Sequence, residues 1–149
     1  MAVRLEDLPP QIREQIAGKQ LKETKYRNKK TPRMLANGVT IMFDSQKEAL
    51  RYDELLLRQK AGLIRDLKLQ VEFTVREAYK TAEGYRVRAI RYVADFTYDE
   101  LLNPNRPSYE LPVWRYVVED VKTPATKTRT YEMKKKLFIE KYQMQIREV

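Results

Sequence analysis

The sequence contains neither cysteine nor histidine among its 149 residues. Without these side chains the chain cannot build Cys–His or Ser–His–Asp nucleophilic sites, or zinc centres that depend on thiolate and imidazole ligands. Nucleases that use histidine as the general base are excluded. A disulfide framework is excluded as well, which fits a reducing compartment. Any enzymatic chemistry must rest on carboxylates, lysine, tyrosine, serine, threonine or a hard metal ion.

Glycine is scarce and long apolar runs are missing. The four glycines are isolated from one another, so no glycine-rich phosphate-binding loop can be written. No stretch approaches the roughly 18 apolar residues of a membrane-spanning helix. The first residues, Met1–Asp7, lack the apolar core of a signal peptide. We therefore expect no membrane partner and a cytoplasmic location.

Basic residues outnumber acidic ones. Lysine and arginine number 30 against 21 aspartates and glutamates, which gives a formal net charge of +9. Such an excess indicates a polyanionic partner. The length suits one domain, and a chain of this size buries roughly 70% of its unfolded surface on folding. The composition therefore favours a single folded domain that binds nucleic acid.

The first 33 residues predict two appendages. Residues 1–18 predict a short helix, which is not stable alone, so its apolar face is expected to dock on the body or on a second subunit. Residues 19–33 carry seven basic residues against one acid. This segment is either a solvated linker or a phosphate-contacting arm. In the second interpretation the DNA-binding residues are Lys25, Arg27, Lys29, Lys30 and Arg33.

Residues 34–149 predict a mixed α/β domain in the order helix, three strands, helix, strand. Asn37-Gly38 predicts a hairpin turn before the first helix. Ser45 and Glu48 form a capping-box pattern at the start of that helix, and Gly62 suits its end. The later elements are predicted as strands Ile64–Val75, Tyr85–Tyr98 and Trp114–Val121, a basic helix Thr128–Tyr142 and a strand Met144–Val149.

Carboxylates within apolar strands are the candidate chemical groups. Asp95 lies in the apolar run Tyr92–Phe96, and Asp120 lies near the end of the next apolar strand. A buried carboxylate is costly unless it is paired or binds a metal. Since residues two apart in a strand share a face, Asp120 and Lys122 project together, while Glu119 points away, towards solvent or an arginine. If the two strands are neighbours, the aspartates form a site for an oxygen-preferring cation such as Mg²⁺.

The residues of this predicted site have distinct expected roles. A divalent ion held by Asp95, Asp120 and the carbonyl of Val121 would polarise a phosphodiester and lower the pKa of a bound water. Lys122 would orient or deprotonate that water, or neutralise developing charge. Glu48 could reach the same cluster from the first helix. Structural alternatives stay open for each: a capping box for the glutamate, an ion pair for the aspartate and lysine of the third strand, and a turn cap for the first aspartate.

This arrangement resembles the PD-(D/E)XK nuclease superfamily in order and spacing. The superfamily's helix acid, first-strand aspartate and Asp-x-Lys strand correspond to Glu48, Asp95 and Asp120-Val121-Lys122. The motif's proline is Ala94 here, at a position that varies within the superfamily. More closely, the chain resembles a phage-borne family of small, uncharacterised nuclease-like proteins. That resemblance is carried by Tyr26–Thr31, Phe43–Ala49, Tyr92–Phe96 and Val117–Lys122.

The resemblance implies a restriction-endonuclease-like core and a Mg²⁺-dependent DNA endonuclease in which Mn²⁺ substitutes. It also implies a phage or prophage protein that acts in DNA recombination or processing. Gln70, on the first strand, is a further candidate site residue. A non-catalytic DNA-binding or assembly protein on the same fold is the alternative.

The expected substrate is branched DNA such as a Holliday junction, because nothing in the sequence resembles a recognition helix for the major groove. A homodimer is expected, since a resolvase cuts two strands symmetrically. Lys127 and Lys134, which follow the site in sequence, are expected to contact phosphate groups. Charge alone leaves an RNA substrate open.

Overall fold

The computed structural model describes residues 29–149. The predictions for the helical appendage and for Lys25 and Arg27 of the arm lie outside these residues. Neither helix in the described part of the chain has the length and apolar character needed to cross a membrane. The elements in chain order are β1 (Thr31–Met34), β2 (Thr40–Phe43), α1 (Gln46–Lys60), β3 (Ile64–Arg76), β4 (Tyr79–Lys80), β5 (Arg86–Val87), β6 (Ile90–Leu101), β7 (Trp114–Asp120), α2 (Arg129–Tyr142) and β8 (Ile146–Glu148).

A four-stranded mixed sheet with order β3-β6-β7-β8 forms the centre of the fold. The first three strands are antiparallel, and β8 runs parallel to β7 after the crossover through α2. Two apolar clusters cover the sheet: Val117 belongs to the cluster under α1, and Val118 to the cluster under α2. Because consecutive strand residues point to opposite faces, one helix lies on each side. The predicted mixed α/β class and the order of its main elements are confirmed.

Helix α1 begins where the capping pattern predicts. The Ser45 hydroxyl oxygen accepts a hydrogen bond from the Glu48 backbone N–H at 3.2 Å. The helix buries its apolar face against β6, and the Tyr52 ring stacks on Phe96 with centroids 6.4 Å apart. Leu55 is fully buried at the centre of this face. The helix therefore holds its first turn, with the glutamate, against the edge of the sheet.

The β1–β2 hairpin forms at Asn37-Gly38, as predicted, with the glycine at φ +82°. The predicted arm, however, ends too late. Its last three residues, Thr31–Arg33, lie in β1. The Arg33 guanidinium makes a bidentate pair with Asp53 of α1, at 2.9 Å from Nε to Oδ1 and 2.8 Å from Nη2 to Oδ2. This pair ties the hairpin to the domain.

The adjacent strands β3 and β6 are longer than the other two strands of the sheet, β7 and β8. The ladder between β6 and β7 ends at the pair Phe96–Glu119, whereas β3 pairs with β6 as far as Ile90. The segment Ile90–Ala94 therefore extends beyond the end of β7. The predicted strand Tyr85–Tyr98 was wrong as a single element, because the chain divides it into β5 and β6.

Candidate functional site

Asp95 and Asp120 come together at the edge where β7 ends. They follow the last pair of the ladder between β6 and β7, which are neighbours as the prediction required. The Val121 backbone N–H donates to Oδ2 of Asp95 at 2.8 Å. Burial, with the adjacent Asp120 carboxylate adding to it, raises the pKa of Asp95 well above its usual range. The two carboxyl groups therefore lie close together where little water reaches them.

Asp120 is almost fully buried, with 1% of its surface exposed. One carboxylate oxygen accepts from the Tyr92 hydroxyl at 2.8 Å, and the other lies 2.7 Å from the Lys122 ammonium. That ammonium also lies 4.5 Å from the centroid of the Tyr131 ring. The predicted common face of the aspartate and the lysine is confirmed. In the structure they form an ion pair, which is the arrangement expected both of a structural pair and of a catalytic pair at rest.

Glu48 is held as a helix cap. Its carboxylate accepts from the Ser45 hydroxyl at 3.0 Å. Burial raises the pKa of Glu48, and the Ser45 hydrogen bond acts in the opposite direction. Within residues 29–149, no three acidic side chains are grouped closely enough to hold a metal ion. The structure therefore brings two of the three predicted acids together and leaves the glutamate at the margin, where its charge still raises the pKa of Asp95.

The donor set fits a hard, partly hydrated cation. Mg²⁺ keeps several waters and is usually bound through one or two carboxylates together with substrate phosphates. Asp95 and Asp120 supply two such carboxylates, and a cation would relieve the repulsion between them. They do not form a closed cage of protein ligands. The role of the Val121 carbonyl as a third ligand stays a prediction.

A cleft of about 230 Å³ lies beside the acids, between the start of α1 and the loop after β7. Lys29 and Glu48 line it. The neighbouring Lys47 ammonium donates to the backbone carbonyls of Lys122 and Val149, at 2.9 and 2.8 Å, and so fixes the loop. Because the start of a helix carries partial positive charge, this cleft suits an anionic group such as a phosphate.

The other predicted phosphate-contacting residues divide into two kinds. Arg33 is paired with an acid of α1, and Lys127 is paired with an acid of β8. Lys29, Lys30 and Lys134 form no ion pair with any described residue. Among the predicted phosphate-contacting residues that the structure describes, these three lysines are the ones whose charges no acid of the domain pairs.

Gln70 approaches the carboxylates from β3. Its side-chain amide donates to Oδ1 of Asp95 at 3.3 Å. Its backbone has φ +51°, in the left-handed region, although it lies in the middle of a strand. A non-glycine residue held in that region stores strain of order 1–3 kcal/mol, and such residues concentrate at functional sites. The position therefore supports the sequence-based suggestion that Gln70 belongs to the site.

A buried ion pair lies next to the site, and the sequence predicted it only as one of two alternatives. Glu119 is fully buried, and its carboxylate binds Arg51 of α1, at 2.6 and 2.8 Å, and accepts from the Tyr98 hydroxyl at 2.6 Å. Of the two alternatives the sequence left for it, solvent or an arginine, the structure shows the arginine. The sequence contained a signal for this burial, because Glu119 alternates with Val117 and Val121 on one face of the strand. Both valines are buried under α1.

The comparisons with known proteins give a family without a described activity. No curated protein and no solved structure matches the chain. Residues 23–148 match the family described as "Protein of unknown function (DUF1064)". Since this match spans most of the sequence, the chain belongs to the DUF1064 family.

Proposed function

We propose that the protein is a divalent-metal-dependent DNA endonuclease of the PD-(D/E)XK type, with its α/β domain as a restriction-endonuclease-like core. The observation that carries the proposal is the close approach of the Asp95 and Asp120 carboxyl groups at the end of β7, with Lys122 bound to Asp120. These three residues occupy the positions that the resemblance assigns to metal ligands and catalytic lysine. The +9 charge supports a polyanionic substrate.

Each residue has a specific task in this proposal. Asp95 and Asp120 would hold Mg²⁺ or Mn²⁺, which when bound polarises a phosphodiester and lowers the pKa of a bound water. Val121 and Gln70 orient the first carboxylate through their hydrogen bonds. Lys122, placed between Asp120 and an aromatic ring, would orient the attacking water or offset charge that develops on the phosphate.

The proposed substrate is branched DNA, cut according to its structure. Phosphate contacts give affinity without reading the sequence. Lys29, at the cleft, and Lys30 can supply such contacts, because neither is engaged by an acid of the described chain. A homodimer would let two copies cut symmetric strands of a junction, and this stays part of the proposal.

The test is cleavage of a four-way junction, a flap, a duplex and single-stranded DNA, with Mg²⁺, with Mn²⁺ and with EDTA. We expect metal-dependent cleavage by the wild type and none by Asp120→Asn or Lys122→Ala. The matched control is Asp66→Asn, at an exposed position outside the site. Asparagine tolerates its left-handed backbone, φ +54°, so the control should cleave as the wild type does.

Three other outcomes would decide against the proposal or change its substrate. Tight DNA binding without cleavage under any metal would favour the DNA-binding or assembly protein. Loss of folded structure in Asp120→Asn, measured by circular dichroism, together with full activity in Lys122→Ala, would show that the ion pair is structural only. Preference for matched RNA substrates would change the assigned substrate class.

A further inference from the structure

A two-stranded ribbon projects from the sheet beside the candidate site. Beyond the pair Phe96–Glu119, β6 continues with β3 alone, and the β4–β5 hairpin lies at the end of this extension. We call residues 76–91 the basic ribbon. Asp95 is the first β6 residue beyond the last β6–β7 pair, and a short stretch of β6 that packs under α2, with Tyr92 and Ala94 buried, connects it to the ribbon. A DNA molecule seated at the site would run near it.

The basic ribbon exposes positive charges that the domain does not neutralise. Arg76, Lys80, Arg86 and Arg88 are exposed, and none forms an ion pair with a described residue. Lys80 and Arg86 lie directly opposite each other in the hairpin. Like charges in that position destabilise a two-stranded pair. A polyanion bound between the two strands' side chains would relieve this repulsion.

The ribbon is also firmly built. At its tip the Thr81 N–H donates to the Tyr85 carbonyl at 2.8 Å, and the Gly84 N–H donates to the Thr81 carbonyl at 2.9 Å. Gly84, at φ +86°, takes the left-handed position of this turn. At its base the Lys141 ammonium of α2 binds Glu77 at 2.7 Å. A preorganised surface loses little entropy on binding, and a two-stranded ribbon has the width that the major groove of DNA admits.

We propose that the basic ribbon is a second DNA-binding surface, which holds the duplex on one side of the candidate site. The choice of DNA rests on the proposed function. Arg86 precedes Asp95 by nine positions, a separation of about 30 Å if the chain is extended at about 3.4 Å per residue. That length corresponds to roughly nine base pairs, at about 3.4 Å of rise each. The ribbon would therefore contact DNA nearly one helical turn from the carboxylates.

The test measures binding of the full chain to duplex DNA in EDTA at several NaCl concentrations, so that cleavage plays no part. The double variant Arg86→Ala/Arg88→Ala is compared with Lys60→Ala/Lys136→Ala, which removes two exposed charges elsewhere. We expect the first pair to reduce the slope of log K against log[NaCl] by about 2 and to weaken binding on the order of tenfold at 0.15 M salt. The control pair should keep the wild-type slope.

A slope that changes equally in both double variants would overturn the proposal, because only net charge would then matter. An effect seen with duplex RNA and not with DNA would overturn the assignment of DNA. The ribbon is expected to contact DNA roughly nine base pairs from the carboxylates. A duplex shorter than this should therefore bind the wild type and the ribbon variant equally. The two proposals fail separately: a ribbon effect without any cleavage refutes the nuclease, and cleavage without a ribbon effect refutes the ribbon.

Discussion

The buried pair of Glu119 and Arg51 gives the most demanding stability prediction. The change Arg51→Met removes both guanidinium bonds and leaves a fully buried carboxylate with the Tyr98 hydroxyl as its remaining described donor. Removing one partner of a buried ion pair costs roughly 3–5 kcal/mol, because the other charge stays desolvated. At about 2–4 °C per kcal/mol for a chain of this size, the melting temperature should fall by roughly 6–20 °C.

The same pair can be broken from the other side at lower cost. In Glu119→Gln the arginine keeps its ion pair with Glu54 at 2.7 Å, and 15% of its side chain reaches solvent. The neutral amide still accepts from Tyr98. We expect a loss of roughly 1–3 kcal/mol, the range for a hydrogen bond to a charged group. Arg51→Met should therefore cost more than Glu119→Gln, and adding Glu119→Gln to Arg51→Met should restore part of the loss.

Urea unfolding, followed by fluorescence of the single tryptophan, Trp114, and by circular dichroism, measures these free energies. Trp114 lies in β7, so its signal reports on the same strand as Glu119. Unchanged m-values would confirm that the variants unfold in the same way. If Arg51→Met cost no more than Glu119→Gln, or if the double variant were no more stable than Arg51→Met, the reasoning about a stranded buried charge would be refuted.

Three further predictions concern other positions. Hydrogen bonds from three arginines, led by Arg147, lower the pKa of Glu100 to about 2, against about 4.3 in an unfolded chain. The stabilisation that ionised Glu100 gives is fully present above its pKa in the unfolded chain and is lost as pH falls towards 2. Acid titration should therefore destabilise the wild type more than Glu100→Gln. Parallel titration curves of the two proteins would contradict this. Gln70→Gly should be more stable than Gln70→Ala by about 1 kcal/mol, the reverse of the usual order in strands, because glycine relieves the left-handed backbone; thermal unfolding of both variants decides it. Thr97 has a buried hydroxyl without a described partner, so Thr97→Val should raise the unfolding free energy by about 1 kcal/mol, and a loss in urea titration would show that the hydroxyl is satisfied.

Local signals predicted much of the fold. Asn37-Gly38 specified a turn, and Ser45 marked a helix start, because both effects depend on a few adjacent residues. The carboxylate pair was also accessible from sequence. Strand parity placed Asp120 and Lys122 on one face, and consecutive antiparallel strands brought Asp95 beside them.

Features set by distant contacts were not predictable in this way. Arg51 and Glu119 are 68 residues apart, so their pairing requires the packing of α1 on the sheet. The division of Tyr85–Tyr98 into two strands has no glycine or proline to mark it. The left-handed backbone of Gln70 interrupts the alternation of side chains between the two faces of β3, although the sequence of that strand predicts regular alternation. Each depends on tertiary structure that overrides local preference.

The lysine that ties the loop after β7 has a consequence for synthesis of the chain. Lys47 binds the carbonyl of Val149, 102 residues later, and the Val149 N–H and carbonyl pair with the backbone of Asp120 and Lys122. The candidate site thus includes both an early helix and the last residue of this sequence. Since a domain generally folds as a unit, the carboxylate site in β6 and β7 is completed together with these closing bonds. The bonds that hold the loop after β7 can form only after residue 149 has left the ribosome.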